Sequence, residues 1–391
     1  MKIIKGDINM FEGSFELNNA RRDIDYSTGR IKPTSPLVEV FSYLAAGKDI
    51  APLNGKLKDS NGRVISNVDS VVKHIISKAY EAGGGNAYAA TELNEIRKFV
   101  IQPLLQEELK LLTWMGNYKN IGFNDSIVVE TKKLNNAQGR FQALNGDVLF
   151  PAWTYDDYPV TTTTISGGYE VDYRKLQFGD LTDENIGMEQ VRTDIRNKSA
   201  RYVIFTIWNA ISNTANVRFL AQGSGISKAA LDEISRNVRR FGNVSIFGDF
   251  SVVSQLNGFL GYEGVTPVTG GISQAAMDEI RKSGLIGMYN GAVVKEIQNE
   301  FNLTKPLPTG DGFELYFPAG LLFVVPAGMQ SPVRTWTRGG LTSVQGIDVA
   351  TGRNLVRFDL EVAADLEKGS EFKIGIVLDE DYGNIEDPRN N

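Results

Sequence analysis

The chain has 391 residues, 42% of them hydrophobic and 23% charged, and a net charge of −6. That is enough apolar material for two or three packed domains, and the acidic balance excludes a bulk basic surface for binding nucleic acid through its phosphates. With no cysteine and one histidine, disulfides, thiolate metal sites and cysteine nucleophiles are excluded, and a Ser–His–Asp triad has only His74 to build on.

The first residues, MKIIKGDINMFEGSFEL, put Asp7 and Glu12 where a secretory signal needs an unbroken apolar core, so export is not indicated. No apolar run approaches the ~20 residues of a membrane helix, and a soluble protein made inside a cell is expected. Residues 1–50 are polar and mixed, with a weak helix at Leu37–Ala46 after Pro33 and Pro36. Asn61-Gly62 between short alternating runs predicts a hairpin turn. His74 lies in VVKHIISKAY with no acidic or nucleophilic pattern beside it, and reads as filler. Gly83-Gly84-Gly85 reads as a linker, because no Lys-Ser or Lys-Thr follows as in a phosphate loop. Leu93, Ile96, Val100, Leu104, Leu105, Leu109 and Leu112 form one stripe of a helix over 90–115, which Pro103 should kink or restart.

IVVET at 127–131 predicts a strand, and the run from Val160 through Thr164 to Val171 predicts a second. The span between them has little periodicity but is rich in apolar side chains, and Asn145-Gly146 supplies a turn. Long loops of this kind are functional more often than idle. Aromatics far out on an excursion imply a partner surface, and Phe141, Leu144, Phe150, Trp153 and Tyr155 are the candidate contact residues. The alternative is a lid folded back on its own domain. The two lysines of this stretch, Lys132 and Lys133, lie at its base.

Asp183–Asn213 reads as the longest helix, with Met188, Val191, Ile195, Tyr202, Val203, Phe205, Ile207 and Trp208 at mostly three- and four-residue steps. At 1.5 Å per residue it would be about 40 Å long. Asp183 and Glu184 suit the positive end of its dipole. Its polar first half is expected to be exposed and its apolar second half, including Trp208, buried.

An α/β region follows. Ser227–Phe241, Phe250–Phe259 and Ser273–Ser283 read as helices, and residues 243–249 and 314–328 as buried strands. Asn290-Gly291 between apolar runs predicts a tight hairpin, while Gly223-Ser224-Gly225 and Gly270-Gly271 match no nucleotide loop and read as turns. Residues 333–378 return to antiparallel strands, with turns at Gly339-Gly340 and Thr351-Gly352. In the tail, Asp379 and Asp381 hint at a calcium loop, but the glycine falls one place early and no glutamate follows at the right distance. Asp156-Asp157, Asp249 and Glu263 are scattered carboxylates with no defined pair spacing for a hydrolase.

The order of parts resembles the shell-protein family of tailed-bacteriophage major capsid proteins and encapsulins, whose fold is shared with the herpesvirus capsid floor. GLIGMYNGAVVKEIQN (284–299) is similar to that family's short helix, glycine, strand, Asn-Gly, strand segment, and residues 335–366 are similar to its closing peripheral strands. The resemblance implies an α+β fold with an N-terminal arm (1–89) and a helical segment (90–126) leading into the peripheral domain. It implies an extended loop hairpin (127–175), a peripheral domain with a long spine helix (176–221) and an axial α/β domain (222–332). Returning strands (333–378) and an acidic tail (379–391) complete the chain. It further implies a structural role: self-assembly through pentamers and hexamers into an icosahedral shell around double-stranded DNA, in a virion formed in the bacterial cytoplasm. Scaffolding, portal and decoration proteins would be its further partners, with no membrane. No catalytic, cofactor or metal site is expected, and the lysine crosslinking of some relatives does not carry over to Lys132 or Lys133. An encapsulin-like nanocompartment and a carboxylate-dependent hydrolase are the alternatives.

Overall fold

The computed structural model describes residues 24–25, 30–31, 40–43, 48–57, 64, 66–79, 87–134, 153–172, 174–175, 182–212, 220–259, 280, 282–307, 310, 312–327, 331–348, 351 and 353–382. In chain order come β1 (Ile24–Asp25), β2 (Arg30–Ile31), α1 (Val68–Ala79), α2 (Ala87–Glu108), α3 (Leu111–Met115), β3 (Asn117–Ile121), β4 (Val128–Leu134) and β5 (Trp153–Pro159). Next are β6 (Thr163–Asp172), α4 (Thr182–Ser212), β7 (Leu220–Gly223), α5 (Lys228–Val238), β8 (Val244–Gly248) and α6 (Phe250–Val253). The last strands are β9 (Met288–Tyr289), β10 (Ala292–Glu296), β11 (Phe301–Pro306), β12 (Phe313–Leu315), β13 (Leu321–Pro326), β14 (Val333–Ile347), β15 (Arg353–Leu366) and β16 (Gly375–Asp379).

The chain forms two compact units. One holds residues 1–109, 164–196 and 340–361; the other holds 110–163, 197–339 and 362–391. Helix α4 and strands β14 and β15 each begin in one unit and end in the other.

In the first unit, the stripe of α2 buries Leu93, Ile96, Val100, Ile101, Leu105 and Leu109. The helix continues through Pro103 to Glu108 and breaks only at Leu109-Lys110. A proline removes one donor, and here the burial of Val100, Ile101 and Leu105 around it outweighs that loss. Arg97 on the same helix is 1% exposed. Its Nε donates to Glu184 Oε1 in the first turn of α4, and its Nη1 donates to Gln345 Oε1 of β14 at 3.0 Å. The Tyr169 hydroxyl of β6 donates to the same Glu184 oxygen at 2.8 Å. A Cβ on Gly187 would sit 2.6 Å from Cγ of Tyr169, so a glycine is required where β6 and α4 approach each other.

The polar first half of α4 is therefore not a solvated face. Glu184, Met188, Val191 and Ile195 are buried, while Glu189 and Gln190 take the outer side. Charged residues are buried there because their charge is met by a partner, which composition alone does not reveal. Asp183 stays near the surface, paired with Lys175 at 2.6 Å.

The second unit is built on a six-stranded sheet in the order β7-β16-β13-β8-β10-β9. All six residues of β13 are buried, and Phe323 stacks on Phe247 across the β13–β8 pair at 5.3 Å. Leu231, Ile234 and Val238 of α5 join Ile246, Leu322, Val324 and Val377 in one core. The Ser227 hydroxyl caps α5 by accepting from the Ala230 amide. Asn290 and Gly291 both take positive φ, +48° and +79°, and join β9 to β10 as the tight hairpin expected. The second half of α4 buries Val203, Ile204, Phe205, Ile207 and Ile211, but Trp208 is only half-buried.

Three strand expectations are corrected. The run expected from Val160 to Val171 forms β6, but the aperiodic span before it ends in a further strand, residues 153–159, which returns to pair with β4. Gly339-Gly340 is no turn, because β14 passes straight through it with φ of +69° and +70°. Two left-handed residues in succession bend a strand without ending it. Finally, residues 375–379 leave the β14–β15 pair and run between β13 and β7. The Thr351 turn is as expected, with Thr351 Oγ1 donating to Asp348 Oδ2 at 2.6 Å. The Asn61-Gly62 turn, the glycine triplet, Gly270-Gly271, most of Ser273–Ser283 and Glu263 lie outside the described residues, as does the side chain of His74 on α1.

Glu184→Ala is expected to destabilise the subunit by about 3–5 kcal/mol in denaturant titration, since it strands a buried guanidinium. Gly339→Ala should cost at least about 2 kcal/mol, because alanine is strained at this positive φ and its Cβ would meet the Phe123 ring. Gly346→Ala, on the same strand with open space around it, should stay within about 0.5 kcal/mol.

Candidate assembly surfaces

Strands β4 and β5 form an antiparallel ladder from Val128↔Pro159 to Leu134↔Trp153. Seven residues of strand span about 20 Å. The base is fixed to the second unit. Ile127 and Val129 pack with Trp336 and Ala363, and Tyr158 packs against them. The Tyr158 hydroxyl donates to Asp365 Oδ2 at 2.5 Å, and Lys368 lies 4.3 Å from the centre of its ring. Burial first, then the hydrogen bond to Asp365 and its charge, push the Tyr158 phenol well above its ordinary value; burial raises Asp365 too. The tyrosine therefore stays a neutral donor and clamps the hairpin.

Of the predicted contact residues, Trp153 opposes Leu134 and Tyr155 opposes Lys132 on this ladder. Both sit on a regular strand and not in a loop. Their side chains, and all of Phe141, Leu144 and Phe150, lie outside the described residues.

A second hairpin, β11–β12, was not anticipated. It pairs Phe301 with Leu315 and Pro306 with Phe313. Phe301 and Leu303 are 62% and 69% exposed, and Phe313 is exposed beside them. Its base is held by Asn299, which exchanges hydrogen bonds with the Phe317 backbone, and by Asn197 Nδ2 donating to Glu300 Oε2 at 3.1 Å. The signal was present in the sequence: FNL and FEL flank the turn-forming run Pro308-Thr309-Gly310-Asp311-Gly312.

The described candidate carboxylates, Asp156, Asp157 and Asp249, have separate structural settings. Asp156 and Asp157 are exposed on β5, opposite Thr131 and Glu130. Asp249 Oδ1 accepts from the Ser251 amide and caps α6. Asp379 is buried and acts structurally: Oδ1 accepts from the amides of Gly225 and Asp381, and Oδ2 from Gln255 Nε2. Among the described residues no three acidic or histidine side chains lie close enough to hold a metal ion.

A family profile described as SPbeta prophage-derived putative capsid protein YonB matches residues 38–378. The chain belongs to this family of prophage capsid proteins. A search of curated proteins found no match for this capsid protein. Among solved structures it is similar to the mature capsid of bacteriophage PhiM1, at 13% identity and a TM-score of 0.41, covering 67% of this chain and 85% of that one. It is also similar to the holo-SrpI encapsulin complex of Synechococcus elongatus PCC 7942, at 11% identity and a TM-score of 0.45, covering 71% and 89%. For Mycobacterium phage Che8 the figures are 12% and 0.39, covering 69% and 87%.

One pH effect follows from the α/β sheet of the capsid protein. Burial, then the Asp249 charge, raise the Glu296 carboxyl above its ordinary value. The native state thus holds that proton more tightly than the unfolded chain. Its stabilising contribution is full below the ordinary glutamate value of about 4.3 and is lost as pH rises through the raised value. Between pH ~4 and pH ~7 the parent should lose more stability than Glu296→Gln, as read by denaturation midpoints at both pH values.

Proposed function

We propose that many identical copies of this capsid protein form pentamers and hexamers, and that these close into an icosahedral shell around double-stranded DNA. The reading rests on the family match over residues 38–378. The two hairpins support it, because each is anchored at its base and the second exposes Phe301, Leu303 and Phe313. The hairpin within residues 127–175 lies over the neighbouring copy, with Phe141, Leu144, Phe150, Trp153 and Tyr155 as its contacts. The role is structural, with no catalytic step. DNA is enclosed without sequence-specific contact, which fits the net charge of −6. Scaffolding, portal and decoration proteins are the further partners, and assembly takes place in the host bacterial cytoplasm. Among the described residues no helix is long and apolar enough to cross a membrane.

Electron microscopy of the purified chain should show capsomers or closed particles. A monodisperse monomer at high concentration would rule this reading out. Trp153→Ala should leave the subunit folded by circular dichroism and lower the yield of particles in the same preparation. If Trp153→Ala instead unfolds the isolated subunit, the hairpin is a lid on its own domain.

A further inference from the structure

The six-stranded sheet has chemically opposite ends. Strand β7 is parallel to β16, and β8 is parallel to β10; β16 and β8 are both antiparallel to β13. So β7, β16, β8 and β10 all point the same way. The registers Asp379↔Gly223, Leu322↔Gly248 and Glu296↔Gly248 bring their last residues to one end. Asp249, Glu296, Asp379, Glu380 and Asp381 gather there. Glu380 and Asp381 are exposed on a short turn, Glu380–Tyr382. The turn is held by buried Asp379 beneath it, and by Ser224 Oγ donating to Asp381 Oδ2 at 2.8 Å.

Helix α5 runs back from this end and finishes at the other. There Arg236, Arg239 and Arg240 are exposed around a cavity of about 310 Å³, lined by Asp232, Ser235, Arg236, Arg239, Asn243 and Asn290. Asp232 in the wall, whose Oδ1 accepts from the Tyr289 hydroxyl and Asn290 Nδ2, sets one negative charge against the three arginines and leaves this end net positive. The Ser235 hydroxyl in the cavity wall is buried with no hydrogen-bond partner. Arg239 is fixed by its bond to the Asn290 carbonyl at 2.9 Å. Among the described residues neither Arg236 nor Glu380 has an ionic partner.

We propose that neighbouring copies dock head to tail, with the acidic turn at Glu380-Asp381 of one copy seated in the arginine-lined cavity of the next. This rests on the ring-forming capsid reading above. A contact that sets arginine against arginine or acid against acid is repelled, so the charges select the pairing of opposite ends. Complementary patches at opposite ends of one body make a heterologous contact, which closes into rings where the rotation between copies closes, as the shell reading requires. Charge also speeds the encounter and fixes its register, and both effects weaken as salt screens them.

Arg236→Glu and Glu380→Lys test the contact, because among the described residues neither replaced side chain bonds within its own subunit. Each variant of the full chain should keep the parent's circular dichroism and thermal midpoint. Each should lose capsomers by at least about tenfold in native mass spectrometry, from like-charge opposition. Arg236→Glu with Glu380→Lys in one chain should restore all rings. Mixing the two single variants should restore hexamers but not pentamers, since matched contacts must then alternate around the ring. Parental assembly by both single variants would overturn the docking and leave the shell reading standing. So would folded single variants that neither the double swap nor the mixture rescues. A parent chain that forms no ring or particle would overturn the shell reading and this contact together.

Discussion

The buried pair Arg97–Glu184 is the constraint on which the first unit depends. Both side chains are almost fully removed from water, so each pays a large desolvation cost that only good partners offset. The partners come from four elements: α2, α4, β6 and β14. Arg97 reaches Glu184 and Gln345, and Tyr169 adds a second donor to the same carboxylate oxygen. One glutamate in the first turn of α4 therefore sets where three other elements must lie. The helix dipole favours an acid at that place, but the ion pair explains why it is buried. The close approach at Gly187 follows, since Tyr169 can reach Glu184 only by lying against the helix backbone.

The second unit solves a similar problem at smaller scale. A long hairpin that projects from a domain needs a stiff root, or it contributes only entropy. Ile127 and Val129 supply apolar packing at that root, and Tyr158–Asp365 supplies direction. Burial raises both groups, and the phenol, held neutral, donates to the carboxyl oxygen in a partly buried hydrogen bond.

Features governed by local periodicity were legible in the sequence. The long helix was expected at Asp183–Asn213 and lies at Thr182–Ser212. Asn290-Gly291 was expected to form a tight hairpin and does, because the backbone needs positive φ at both positions. The failures are tertiary. Pro103 sits inside a continuous helix because burial around it prevails. Gly339-Gly340 looks like a turn by composition, yet long-range pairing with β3 on one side, from Arg334 to Arg338, keeps the strand extended up to that point. The polar half of α4 looks solvated until Arg97, far away in sequence, is placed beside it. Residues 375–379 carry the same apolar pattern as their neighbours, and nothing in that pattern names the sheet they join. Of the candidate contact residues, the strand pairing locates Trp153 and Tyr155 on the backbone; their position on a ladder was hidden because polar and aromatic residues alternate there without an apolar face.

The two kinds of exposed surface answer different demands on a protein that must stay separate before it assembles. An exposed apolar hairpin such as Phe301, Leu303 and Phe313 can contribute about 1.5–3 kcal/mol per side chain once covered, but it accepts any apolar partner. Charge at opposite ends of the α/β sheet contributes less energy and more selection. Like ends repel, so a copy is steered away from pairings that set like ends together. Opposite ends attract in a directed sense, which builds a ring before the apolar surfaces engage. On this argument, weakening the charges should do more than lower the yield: it should shift the product from rings toward irregular aggregates, because the apolar surfaces would remain while the selection against wrong pairings was gone.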